Sequence, residues 1–96
     1  MNGSDVRADN NDELFNFPCD FPIKVMGLAE QDFDLLVVEI VRRHCRDELR
    51  EGAVSLRKSS GGKYIAVTVT IIAHNREQLD ALYQELSNHQ RVTMVL

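Results

Sequence analysis

The sequence predicts an α+β protein: a ferredoxin-like βαββαβ two-layer sandwich, in which a four-stranded antiparallel sheet carries two helices on one face. Three observations point there. Residues 30–45 and 75–89 repeat apolar side chains at helical spacing, and four other stretches alternate apolar with polar residues. The glycine pair of "SSGGKYIAVTVTI" sits between the middle two of those strands, where a hairpin needs turn residues. Right-handed crossovers then place both helices on the same face and give the strand order 4-1-3-2.

Each element follows in order. Residues 1–14 are polar, rich in Asn and Asp and without hydrophobic period, so they read as a flexible acidic tail ahead of a single domain over 15–96. In "FPCDFPIKVMG", Ile23 and Val25 alternate with Lys24 and Met26 as the first strand; Pro18 and Pro22 belong at its extended start, and Gly27 ends it. From Glu30 to about Cys45, Phe33, Leu36, Val37, Ile40, Val41 and His44 fall on one helical face. Acids at the start of this helix and Arg42, Arg43 and Arg46 near its end complement the helix dipole. His44, continuing the apolar stripe, reads as a half-buried packing residue.

Val54 and Leu56 mark a short second strand. Ile65, Val67, Val69 and Ile71, alternating with Tyr64, Ala66, Thr68 and Thr70, give the strongest strand signal in the chain. Asn75 followed by Gln78 three residues later is the layout of a capping box, and Leu79, Leu82, Tyr83 and Leu86 form the stripe of the second helix. "RVTMVL" closes the chain as the fourth strand, with Val92, Met94 and Leu96 on one face and Arg91, Thr93 and Val95 on the other. The period of two places Ile23, Val25, Val54, Leu56, Val67, Val69 and Ile71 under the helices. Lys24, Met26, Tyr64, Ala66, Thr68, Thr70, Thr93 and Val95 then line the open face.

Composition narrows the function. A chain of 96 residues with 44% hydrophobic content supports one modest core. No apolar run approaches the ~20 residues of a membrane helix, and the acidic N-terminus has no signal-peptide character, so a cytoplasmic protein without membrane partners is expected. Three of the four net negative charges fall in the first sixteen residues. The body is therefore near neutral and offers no general attraction to nucleic acid. Cys19 and Cys45 are too few for a disulfide framework and read as reduced thiols.

The candidate chemistries fail on placement. Ser59-Ser60-Gly61-Gly62-Lys63 runs into a strand, whereas a phosphate cradle needs the N-terminus of a helix, and Lys63 is followed by Tyr64 instead of Ser or Thr. RNA recognition on a βαββαβ sheet needs aromatic rings on the open face of the first and third strands; only Tyr64 qualifies there, so Arg57, Lys58 and Lys63 read as a solvated hairpin tip, with RNA contact through them as the weaker alternative. His44 and Cys45 are adjacent on a helix and point about 100° apart, and His74, His89 and Cys19 have no ligand-like spacing. The expectation is no catalytic residue, no metal and no cofactor.

"FPCDFPIKVMG", "VVEIVRRH", "KSSGGKYIAVTVTI", "EQLDALYQEL" and the terminal "VTMVL" together resemble the YbeD-like family of small bacterial proteins, over about residues 15–96. That resemblance implies an ACT-like ferredoxin fold and a non-enzymatic, regulatory or ligand-sensing role, with a link to lipoate metabolism. It also implies a small-metabolite site where the first strand meets the first helix, at Met26, Gly27 and Leu28. The Asp-x-Pro-Gly type loop common in ACT domains is missing. Gly27 reads equally as a strand-to-helix turn. The alternative is an adaptor that binds a protein partner through Met26, Tyr64, Ala66, Thr68, Thr70 and Val95 on the open face, and a homodimer through a sheet edge or a helix face fits either reading.

Overall fold

The computed structural model describes residues 16–30 and 32–96. The tail expected over 1–14, and Phe15, lie outside the described residues. The elements are β1 (Cys19–Leu28), α1 (Phe33–Arg43), β2 (Val54–Lys58), β3 (Tyr64–Ala73), α2 (Arg76–Asn88) and β4 (Val92–Val95). They form one four-stranded sheet in the order β2-β3-β1-β4, antiparallel at every pairing. This is the sandwich the sequence predicts, with its strand order.

β3 forms the spine because its β-branched residues alternate without a break. Ile65, Val67, Val69, Ile71 and Ala73 are buried beneath the helices, and the residues between them face away. They meet Ile23 and Val25 of β1, Phe33, Val37, Ile40 and Val41 of α1, and Leu79, Leu82 and Leu86 of α2 in a single core. Burying side chains of this size stabilises by about 1.5–3 kcal/mol each before the entropy of ordering is counted.

β1 is longer than expected. Gly27 does not end it: Gly27 pairs with Ile65, and Leu28 with Tyr64. Pro22 sits inside it without breaking a ladder. Lys24 turns its backbone toward the last strand, exchanging hydrogen bonds with Leu96 at 3.2 and 2.8 Å. Pro22, two residues away, turns the same way, past the end of β4, where an N–H has no strand to meet.

α1 begins at Phe33, three residues after the expected Glu30, because Asp32 adopts a left-handed backbone with φ 66 that a right-handed helix cannot contain. At α2 the capping box forms with a shift. The Asn75 side chain accepts from the Gln78 backbone N–H at 2.8 Å, and the Gln78 carboxamide oxygen accepts from the N–H of His74 at 2.7 Å. The glycine pair makes the expected hairpin, closed by Ser59 N–H to the Tyr64 carbonyl at 2.8 Å. Only Gly62 of the two carries a positive φ, at 78.

The face assignments of β4 change. Val95 pairs with Val25 and turns toward the helices, not toward the open face. A bulge between Met26 and Gly27 shifts the register of β4, so that Val92 and Val95 both pack on the core while Met94 and Leu96 face out, 48% and 61% exposed. A strict period of two cannot survive an extra residue in one strand. Val54 and Leu56 take the helix side as expected, opposite Val69 and Val67, yet stay 37% and 51% exposed. α1 packs on β3 and β1 and α2 on β4 and β3, leaving β2 exposed along its length.

Candidate functional site

At the C-terminal end of β1 the chain leaves the sheet beside the start of β4, bringing Leu28 and Glu30 next to Gln90, Arg91 and Thr93. These residues line an open cleft of about 300 Å³. The Arg91 guanidinium lies 3.9 Å from the Glu30 carboxylate and 5.7 Å from the centre of the Phe33 ring. The loop is pinned by the Ala29 N–H, which donates to the Lys63 carbonyl at 2.7 Å. One wall of the cleft is thus apolar and the others carry one cation and one anion.

The three residues expected to bind a ligand are not brought together. Met26 and Leu28 face one side of the sheet while Gly27 turns to the other and is buried. A Cβ on Gly27 would lie 2.6 Å from the Arg91 carbonyl oxygen and 2.6 Å from Cζ of Phe33. The space above Gly27 is therefore filled by protein, and the glycine is what lets the Phe33 ring seat against β1. Of the three, Leu28 lines the cleft. Arg91 and Glu30 escaped the sequence reading because no local periodicity marks them. The strand order was the available signal, since it sets the end of the first strand beside the start of the fourth.

The open sheet face holds Met26, Tyr64, Ala66, Thr68 and Thr70 as expected, joined by Met94 and Leu96 in place of Val95. Near the hairpin, Lys24, Met26, Arg57, Ser59, Tyr64 and Ala66 border a shallow hollow of about 240 Å³, and the Lys63 ammonium sits 5.6 Å from the centre of the Tyr64 ring. Met26 belongs to this hollow, not to the cleft beside Leu28.

A polar network joins the far ends of the two helices. The Nε2 of His44 lies 2.6 Å from Oε1 of Glu85, whose other oxygen accepts from Arg43. Gln78 donates to the His44 carbonyl at 2.9 Å, and Nε2 of His74 lies 2.6 Å from Oδ2 of Asp47. His44 is thus a half-buried tie between helices more than a packing residue. The hydrogen bond from His44, then that from Arg43, holds the Glu85 carboxyl below the ordinary glutamate value of 4.5. A depressed folded value means that Glu85 stabilises the fold above its unfolded pKa, and that this contribution is lost as pH falls through the folded value. Thermal melts of Glu85→Gln are therefore expected to fall less steeply than wild type as pH drops below 4.5, with the two curves separated most near neutrality. Parallel curves would show that the tie carries no charge-dependent stability.

Burial, and then the Asp47 charge, raise the Cys45 thiol, which is the opposite of the activation a nucleophile needs. Among the described residues no group of three or more His, Cys, Asp or Glu side chains gathers at metal-binding range. No described helix is long and apolar enough to cross a membrane.

Comparison with known proteins places this architecture. Among solved structures, the solution structure of HP0495 from Helicobacter pylori is similar with a TM-score of 0.62 at 16% identity, covering 83% of this chain and 82% of that one. The ACT domain from GTP pyrophosphokinase of Chlorobium tepidum is similar with a TM-score of 0.62 at 18% identity, covering 80% of this chain and 84% of that one. Among sequences, a UPF0250 protein of Chromobacterium violaceum is 48% identical over 89 residues, 93% of this chain and 99% of that protein. Another, from Neisseria gonorrhoeae, is 41% identical over 91 residues, 95% of this chain and 99% of that protein. Residues 12–96 match the family model described as "Protein of unknown function (DUF493)". The resemblance to the YbeD-like family is borne out, and the chain belongs to the DUF493 family, with an ACT-like ferredoxin fold.

Proposed function

We propose that this protein is a non-catalytic ligand-sensing domain that takes a small carboxylate metabolite in the cleft between Leu28, Glu30 and Arg91. The observation that carries this reading is the pairing of Arg91 with Glu30 at 3.9 Å across an open cleft of about 300 Å³, beside the exposed side chain of Leu28. A guanidinium is the side chain best suited to a carboxylate, because its fork matches both oxygens. Glu30 then selects the rest of the ligand: it pairs with the ammonium of an amino acid, whereas an alkyl chain laid over it would strip its hydration without replacing it. The ACT-like fold supports the reading, since ACT domains are regulatory rather than catalytic. The link to lipoate metabolism enters through the same carboxylate, with an octanoyl or lipoyl chain lying on Leu28.

A thermal-shift titration with amino acids, lipoate and octanoate tests this. Ligand at 100 times its dissociation constant stabilises by about 2.7 kcal/mol. The melting temperature is expected to rise with one of these carboxylates and to stop responding in Arg91→Ala. Glu30→Gln is expected to abolish the response to an amino acid and to preserve or increase the response to octanoate or lipoate. No shift with any of them, in a protein that melts cooperatively, sinks the reading.

The open sheet face favours a second reading, an adaptor surface for another protein. Tyr64, Met94 and Leu96 are 39%, 48% and 61% exposed on it, beside half-buried Met26, Ala66 and Ile72. That much apolar surface on one face is the kind that partners cover. Binding through it would be lost in Tyr64→Asp and untouched in Arg91→Ala, which separates the two readings. RNA binding is not favoured, because among the described residues Tyr64 is the one aromatic ring on the open face of β1 and β3.

A further inference from the structure

Charge is unevenly spread over this molecule. Residues 52–76 hold Arg57, Lys58, Lys63 and Arg76 and no acid, although the chain as a whole carries a net charge of −4. On the open sheet face, the one acid among the described strand residues is Asp20, at the far end of β1, where Arg50 pairs with it. No ion pair among the described residues engages Lys24, Arg57 or Lys63. The hairpin end of the open face is therefore a cationic surface on an acidic protein.

The strand register explains why a hollow forms there. Ala66 lies between Arg57 of β2 and Met26 of β1 in one row across three strands, with Tyr64 two residues along β3 and Lys24 two residues along β1. A lone methyl group among these longer side chains leaves the dip of about 240 Å³ that they border. The Tyr64 ring, 39% exposed, forms one end, and the Lys63 ammonium lies 5.6 Å from its centre. At the rim the Ser59 hydroxyl oxygen accepts from the Tyr64 N–H at 3.0 Å, which leaves its own O–H to donate.

We propose that this hollow is a binding site for a nucleoside monophosphate, its phosphate held between Arg57 and Lys24 and its base stacked on Tyr64. The site shares no residue with the cleft at Arg91 and goes beyond both readings given above. Two cations bordering one hollow, with no carboxylate between them, suit a dianion, and the guanidinium fork meets two phosphate oxygens at once. A base on Tyr64 takes the place of the Lys63 ammonium, which is weakly held at an exposed ring and becomes a third cation for the phosphate. One exposed ring serves one base. An RNA strand is read by rings on two strands of such a sheet, and Lys24 and Met26 stand where β1 would supply the others. A mononucleotide needs no second ring.

Backbone amide chemical shifts of the isotopically labelled full chain, titrated with AMP, test the proposal. AMP is expected to bind with a Kd below ~1 mM and to move the amides of Lys24, Arg57, Tyr64 and Ala66 most. Adenosine, which lacks the phosphate, and ribose 5-phosphate, which lacks the base, are each expected to bind at least ~5-fold more weakly. Arg57→Ala is expected to raise the Kd for AMP at least ~10-fold, and Tyr64→Ala to bring AMP down to the affinity of ribose 5-phosphate. Both side chains are exposed, so the fold stands without them. Arg91→Ala is expected to leave AMP binding unchanged, which separates this site from the carboxylate cleft. No movement with AMP, movement confined to other residues, or AMP binding that Arg57→Ala or Tyr64→Ala leaves unchanged overturns the proposal. A short single-stranded RNA that binds the same residues at least ~10-fold more tightly than AMP also overturns it, in favour of a nucleic-acid strand.

Discussion

Gly27→Ala is expected to cost about 1–3 kcal/mol of folding stability, the range for forcing an extra methyl group into a packed interior. Gly27→Val is expected to cost more. The added carbon would lie 2.6 Å from the Arg91 carbonyl oxygen and from the Phe33 ring, and neither neighbour is the far end of a flexible chain. One is backbone of the residue leading into β4, the other a ring held at 1% exposure. Urea unfolding checks this as a fall in midpoint at constant slope. Gly61→Ala is the control, because a Cβ there meets nothing within 4 Å, and it is expected to be near neutral. Since Phe33 accounts for only one of the two clashes, Phe33→Leu should rescue Gly27→Ala in part. That coupling is measurable in a double-mutant cycle at ~0.5–3 kcal/mol. An alanine variant as stable as wild type would mean that β1 slides out from under Phe33 without resistance. For function, the consequence is that a bulky residue at position 27 destroys the fold before it reports on a ligand, so the cleft is better probed at Arg91 and Glu30.

Phe33→Ala is expected to cost about 3–5 kcal/mol, the loss typical of truncating a buried aromatic ring. Phe33 fills the space that Gly27 leaves, and the Arg91 guanidinium rests 5.7 Å from its ring centre. The same ring therefore serves the core and the cleft. Removing it should also weaken binding of the carboxylate proposed for the cleft, through loss of the surface on which Arg91 is placed; the guanidinium–ring contact itself is worth about 0.5–1 kcal/mol at an exposed site. Phe33→Leu keeps much of the volume, loses the π face, and is expected to cost less than ~1.5 kcal/mol of stability while still reducing affinity for the carboxylate. If Phe33→Leu bound ligand as well as wild type, the ring would be a core residue and no more.

The sequence by itself determined the fold class, the strand order, both helices, the hairpin and nearly all of the core. Each of these is encoded locally: periods of 2 and 3.6 in apolar residues, a glycine at the turn, an asparagine at a cap. Val67, Val69 and Leu82 were legible because burial follows from the position of each residue within its own element. The tertiary structure decided three things that no local pattern contains. A bulge in the pairing of β4 with β1 turned Val95 inward and Met94 and Leu96 outward, because register is a property of two strands together. The width of two helices against four strands left Val54 and Leu56 uncovered at the β2 edge. The meeting of Glu30 with Arg91, sixty-one residues apart in the chain, required the sheet to close.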